Sequence, residues 1–118
     1  MLYKHNMSIA EKQDRVFKAL AARVRRQILD DLRDQPLTTG TLCAHFDDLD
    51  RCTVMQHLRV LEKCRLVHSS KTGRVRTCEV DLEQLAVVEQ WLGSLRQLWE
   101  QRFGRLDTLL STLQEEDK

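Results

Sequence analysis

The sequence predicts a mainly α fold with one small β-hairpin and a long C-terminal helix. Three observations carry that prediction. Apolar residues recur at helical spacing through most of residues 8–65, strand-like alternation takes over around a Thr-Gly pair at residue 72, and a seven-residue apolar repeat runs from Leu85 to Leu113. The 118 residues, 42% of them hydrophobic, fit a single domain over 1–118 whose own core is modest unless a second subunit adds to it.

Residues 8–34 read as two N-terminal helices. "SIAE", Ser8 to Glu11, is a capping box in which the hydroxyl and the carboxylate satisfy free backbone N–H groups at a helix start. The helix that follows is expected to bury Ile9, Val16, Phe17 and Leu20. A second helix, near Val24 to Asp34, turns Ile28, Leu29 and Leu32 inward and is stopped by Pro36, the only proline.

Residues 38–65 read as a helix-turn-helix. Thr38 or Thr39 caps a short third helix that buries Leu42 and Phe46. "DDLD" then supplies a turn and, in Asp50, an N-cap for a fourth helix with Val54, Leu58 and Leu61 on its apolar side. That helix leaves Cys52, Met55, Gln56 and Arg59 facing elsewhere. Residues 66–80, "LVHSSKTGRVRTCEV", have β-branched residues on both sides of Thr72-Gly73, read as the turn pair of a hairpin with basic arms. A hairpin beside a helix-turn-helix is a wing, so the expected architecture is a winged helix-turn-helix. Along the wing, Arg74 and Arg76 alternate and should emerge on one face.

Residues 82–114 return to helical spacing. Leu85, Leu92, Trp99, Leu106 and Leu113 recur every seven residues, with Val88, Leu95, Arg102 and Leu109 as the interleaved row. Leu98, Phe103 and Leu110 widen this stripe beyond a strict two-helix seam. The expected dimer interface is therefore Leu92, Leu95, Trp99, Phe103 and Leu106, together with Val16 and Leu20 of the first helix. Gly93 and Gly104 each weaken the helix by about 1 kcal/mol relative to Ala.

Net charge is only +1, but it is segregated. Between Arg51 and Arg76 seven basic residues face one acid, Glu62, whereas from Asp81 onward four basic residues face eight acids. A basic middle and an acidic tail give a near-neutral total and a local footprint for a polyanion. No stretch approaches the roughly 18 apolar residues of a membrane span, and "MLYKHNMSIAEK" lacks a signal-peptide core, so a soluble, cytoplasmic protein is expected. The four cysteines (Cys43, Cys52, Cys64, Cys78) contain no C-x-x-C pair and read as reduced thiols. No phosphate loop or catalytic triad pattern occurs and the four histidines are scattered, which argues against an enzyme. No metal and no other cofactor is expected. Cys43 and His45 form a C-x-H pair, but alternate residues of a helix diverge too far for easy joint ligation.

With that layout, "VFKALAARVRRQILDDL", "LTTGTLCAHFDDLDRCTVMQHLRVLEKCRLV" and "KTGRVRTCEVD" resemble the ArsR/SmtB family of bacterial winged-helix repressors over nearly the whole chain. The resemblance implies a homodimeric transcriptional repressor that reads an inverted-repeat double-stranded DNA operator. It places the recognition helix on Arg51, Cys52, Thr53, Met55, Gln56 and His57 and the wing contacts on Lys71, Arg74 and Arg76. Arg59 on the same outer face, and Thr38 and Thr39 before the third helix, complete the candidate DNA-binding set.

A Gln can pair with adenine and an Arg with guanine, while Met and Thr can pack on a thymine methyl. His57 leans toward the apolar side, which suits packing or a phosphate contact better than base reading. Two departures from the family stand out. Arg65 occupies a turn position where Gly is common, so either it takes an unfavourable backbone conformation or the turn differs. Thr38 and Gly40 stand where metal-sensing members carry a C-x-C pair, and no His follows His68. Neither that pair nor the Asp and His that other members place on the C-terminal helix is present, and the sequence resembles most the subgroup whose inducer is absent or unrecognised, often autorepressors. Cys52, next to Arg51 just inside a helix start, is the candidate redox thiol, the setting being one that favours a thiolate. The competing reading is a winged-helix dimer that docks on another protein without binding specific DNA.

Overall fold

The computed structural model describes residues 7–116. Its elements run α1 (Ile9–Leu20), α2 (Arg23–Leu32), β1 (Leu37–Thr38), α3 (Thr39–Ala44), α4 (Arg51–Lys63), β2 (Val67–Thr72), β3 (Val75–Val80), a 3₁₀ turn (Leu82–Gln84) and α5 (Leu85–Glu116). The internal packing separates a unit ending at Val88 from one beginning at Glu89.

In the first unit, three helix starts are set by side chains that accept from otherwise unpaired N–H groups. Ser8 Oγ accepts from the Glu11 N–H (3.1 Å), Thr38 Oγ1 from that of Thr41 (3.1 Å) and Asp50 Oδ1 from that of Thr53 (2.7 Å). The caps at Ser8 and Asp50 fall where the sequence puts them, and Thr38, of the two threonines considered, is the third. Thr39, one residue on, is buried.

Ile28 and Leu32 of α2, Leu42 of α3, and Val54, Leu58 and Leu61 of α4 are each almost fully buried and form one core with Val16, Leu66, Val67 and Cys78. Burying each large aliphatic side chain contributes about 1.5–3 kcal/mol. Helix α1 contributes less than its pattern suggests. Val16 and Ala19 are buried, but Ile9 is 67% exposed and Phe17 38%, so the expectation that both lie in the core is corrected. Ile9 stands in the first turn, beyond the reach of the core that Val16 and Ala19 enter.

Helix α4 ends on Arg65 in the left-handed region (φ 62°). The Leu66 N–H reaches back to the Leu61 carbonyl and the Arg65 N–H to that of Glu62, both at 3.0 Å, while Leu61 and Leu66 are both fully buried. This is a Schellman ending, with its usual apolar contact between the residues on either side. The turn keeps its form with Arg in the place of Gly, and the residue bears the strain.

The wing is part of a three-stranded antiparallel sheet ordered β1-β3-β2. Thr72 pairs with Val75, so the turn residues are Gly73 and Arg74, one position later than the Thr72-Gly73 pair read from the sequence. Gly73 takes φ 63°, and positive φ at the first central residue alone is the sign of a type II′ turn. Arg74 consequently sits in the turn and does not alternate with Arg76 along a strand. No sequence pattern announces the short edge strand β1, in which Leu37 pairs with Cys78 and Thr38 with Thr77.

The second unit is helical from Glu89 to Glu116. Leu92, Leu95, Leu98, Trp99, Phe103, Leu106, Leu109, Leu110 and Leu113 are all 46–60% exposed. Trp99 and Phe103 stack edge to face with ring centroids 4.8 Å apart. A Cβ built on Gly93 or Gly104 meets nothing within 4 Å. No helix among the described residues is long and apolar enough to cross a membrane.

Candidate nucleic-acid interface

The buried stripe Val54, Leu58 and Leu61 fixes the roll of α4, so residues offset from it face outward. Arg51, Cys52, Gln56 and Arg59 are exposed; Cys52, Gln56 and Arg59 follow an i, i+4, i+7 row. Thr53, Met55 and His57 are half-buried, and Met55 packs against the edge of the core. The Asp50 carboxyl, which accepts from the Thr53 backbone N–H and then from its hydroxyl, is held below the usual carboxylate range. It therefore stays ionised where the helix dipole favours a negative charge.

Thr38 is half-buried and its hydroxyl, besides capping α3, donates to Thr41 Oγ1 at 3.0 Å. Thr39 is 7% exposed, which leaves its side chain almost no surface for DNA and corrects its place in the candidate set. On the wing, Lys71 and Arg76 are direct cross-strand partners and Arg74 caps the turn; all three are exposed. Arg76 Nη1 also donates to Ser69 Oγ (3.2 Å). At the base of the hairpin, His68 Nε2 lies 2.6 Å from Asp81 Oδ2. The Asp81 carboxyl is lowered first by the Glu83 N–H it caps and then by His68.

One relationship is invisible in the sequence. Arg25, by its position one of several charges at a helix start, donates from Nε to the Ala19 carbonyl (2.6 Å) and from Nη2 to that of Lys18 (2.9 Å). Its Nη1 lies 3.1 Å from His57 Nδ1 on α4. Arg26 Nη1 adds a bond to the Leu20 carbonyl (2.7 Å). The last carbonyls of α1 are thus capped by guanidinium groups from α2, a favourable place for cations. Burial, and then the nearby Arg25 charge, hold the His57 ring below the usual imidazole range.

The four cysteines are free thiols: Cys52 is exposed, Cys43 half-buried, Cys64 and Cys78 buried. Burial pushes the Cys78 thiol up to about 11. His45 Nδ1 lies 3.0 Å from Asp31 Oδ2, while Gln27 Nε2 donates to Oδ1 of the same carboxylate (2.9 Å). Among the described residues no three or more His, Cys, Asp or Glu side chains are grouped to hold a metal ion.

Of the residues expected at a dimer interface, Leu92, Leu95, Trp99, Phe103 and Leu106 are exposed and Leu20 is half-buried. Val16 is 1% exposed. It is spent on the chain's own core and has no surface for a second subunit, a correction to its expected role.

The helix-turn-helix domain family matches residues 20–70, which hold α2 to α4 and the beginning of the first wing strand. The chain is 37% identical over 82 residues to the HTH-type transcriptional regulator Rv2034 of Mycobacterium tuberculosis, covering 70% of this chain and 76% of that protein. It is 30% identical over 59 residues to the transcriptional repressor SdpR of Bacillus subtilis, covering 50% of this chain and 64% of that one. The crystal structure of the ArsR family transcriptional regulator RHA00566 matches with a TM-score of 0.71 at 35% identity, over 80% of this chain and 97% of the other. The chain belongs to the ArsR family of winged helix-turn-helix transcriptional regulators. In this ArsR-family fold α3 and α4 are the helix-turn-helix and β2–β3 the wing. Where metal-sensing members carry a C-x-C pair, Thr38 caps α3 through its hydroxyl and Gly40 offers no side chain.

Proposed function

We propose that this ArsR-family regulator is a homodimeric, sequence-specific DNA-binding protein that acts as a repressor or autorepressor on an inverted-repeat operator. The observation that carries the reading is the outward row of α4, with no partner from the chain's own core, beside a wing that presents Lys71, Arg74 and Arg76. A major groove is wide enough to admit such a helix, and Gln56 and Arg59 are its base-reading candidates, with Arg51, Cys52 and Thr53 entering at the helix start. Met55 is positioned for apolar contact at the edge of the core. Thr38, Lys71, Arg74 and Arg76 would bind the phosphate backbone, which sets register and supplies salt-dependent affinity.

The homodimer rests on the apolar face of α5. A contiguous stripe from Leu92 to Leu113 exceeds what monomers usually leave in water. Two copies packed along it would present two recognition helices related by a two-fold axis, and hence a near-palindromic site with half-sites about one helical turn apart. On this reading residues 1–118 work as one DNA-binding domain, with 82–114 as its dimerisation helix. The experiment is selection of bound duplexes from a randomised pool: enrichment of a two-fold symmetric motif supports the reading, and an unenriched pool after repeated rounds opposes it.

A further inference from the structure

We propose that Arg25 is a positioning residue for DNA recognition: it locks the His57 ring of the recognition helix as a neutral donor whose Nε2–H is offered to a DNA phosphate oxygen. The inference rests on the proposed DNA-binding function.

A guanidinium carries only donors, so His57 Nδ1, 3.1 Å from Arg25 Nη1, must accept. An accepting Nδ1 carries no proton. The ring is then neutral with its proton on Nε2, since an imidazolium would turn a second N–H toward the guanidinium. Arg25 is not free to swing away and release the ring, because its Nε and Nη2 are held by the Ala19 and Lys18 carbonyls at 2.6 and 2.9 Å. All three nitrogens of one side chain are engaged, and together they tie the end of α1 to the middle of α4.

The other ring nitrogen is left over. His57 Nε2 has no hydrogen-bond partner among the described residues, and Arg15 Nε is the one buried side-chain nitrogen or oxygen lacking a partner there, so Nε2 lies at the surface. It stands next to Gln56 on the half-buried flank of α4, where a helix seated in the major groove approaches the sugar-phosphate rim. A fixed tautomer removes the cost of selecting one on binding. Each protomer would supply one such bond.

The test combines a spectroscopic readout with binding. In long-range ¹H–¹⁵N spectra of the full chain at neutral pH, His57 should show an unprotonated Nδ1 and a protonated Nε2. Arg25→Ala should release the ring, giving a tautomer mixture in the free protein and a ring no longer held on the phosphate, and should weaken the selected operator about tenfold, the effect expected when each protomer of a dimer gives up one hydrogen bond. Because Arg25→Ala also uncaps α1, a second pair of variants serves if it fails to fold. His57→Gln carries an amide donor to near the Nε2 position, whereas the shorter amide of His57→Asn reaches only the Nδ1 position. The first should retain most of the affinity that the second loses, at equal melting temperature. A protonated Nδ1 in the wild type, or His57→Asn binding as tightly as His57→Gln, overturns the inference while wild-type operator binding stands. A wild type that prefers no operator overturns the DNA-binding reading itself.

Discussion

Lys71 and Arg76 stand directly opposite each other on the two strands of the wing, like charges in a cross-strand pair. Such a pair opposes hairpin formation, whereas an opposite-charge pair favours it by roughly 0.2–1 kcal/mol. The free protein bears that repulsion, and a bound polyanion would relieve it. Lys71→Glu should therefore raise the denaturant midpoint of the folded chain while weakening binding to every duplex. Paired urea melts and anisotropy titrations check this; a variant with lower stability and unchanged affinity would contradict it.

Arg65 closes the Schellman turn after α4 with φ 62°, a conformation that costs a side chain with a Cβ about 1 kcal/mol and glycine very little. Arg65→Gly should stabilise the protein by about 1 kcal/mol less the chain entropy that glycine adds to the unfolded state. The check is a shift of the urea midpoint to higher concentration at constant slope.

Leu95 lies on the exposed apolar face of α5. Leu95→Glu should give a folded monomer by sedimentation at micromolar concentration, with operator affinity abolished because one recognition helix remains per molecule. A wild-type chain that sediments as a monomer under the same conditions would remove the dimer.

Much of the fold was legible because the decisive signals are local. The Ser8 and Asp50 caps each act three residues away, and the buried stripe of α4 follows from its period. The rest depends on residues far apart in sequence. Strand β1 exists only by pairing with β3, about forty residues on, and the register of β2 against β3 decides which of two turn-prone pairs makes the turn. Thr38 and Thr39 are equivalent as sequence, and only packing makes one the cap and buries the other. Periodicity marks Val16 as apolar but not what covers it. The Arg25–His57 contact spans 32 residues, and no spacing rule announces it.

The thiols should separate by accessibility. Exposed Cys52 should react first with a thiol reagent at neutral pH, and Cys78, buried and pushed up to about 11, only after unfolding. If Cys52 is a redox switch, mild peroxide should weaken operator binding of the wild type and spare Cys52→Ser, since an added group on the outer row of α4 would obstruct the groove. Equal sensitivity in the two proteins, or none in either, would remove Cys52 from that role.

The central claim is that the outer row of α4 reads base sequence while the wing holds the backbone. Competition of the selected operator against random duplex, over a salt series, tests it most directly. The wild type should clearly prefer the operator, Gln56→Ala should show a relaxed preference, and Arg74→Ala should be weakened uniformly. In the last, the slope of log affinity against log salt should flatten by about 0.9 for each phosphate that is no longer neutralised. Equal affinity of the wild type for operator and random duplex at every salt concentration would contradict it, and would leave a winged-helix dimer whose partner is another protein.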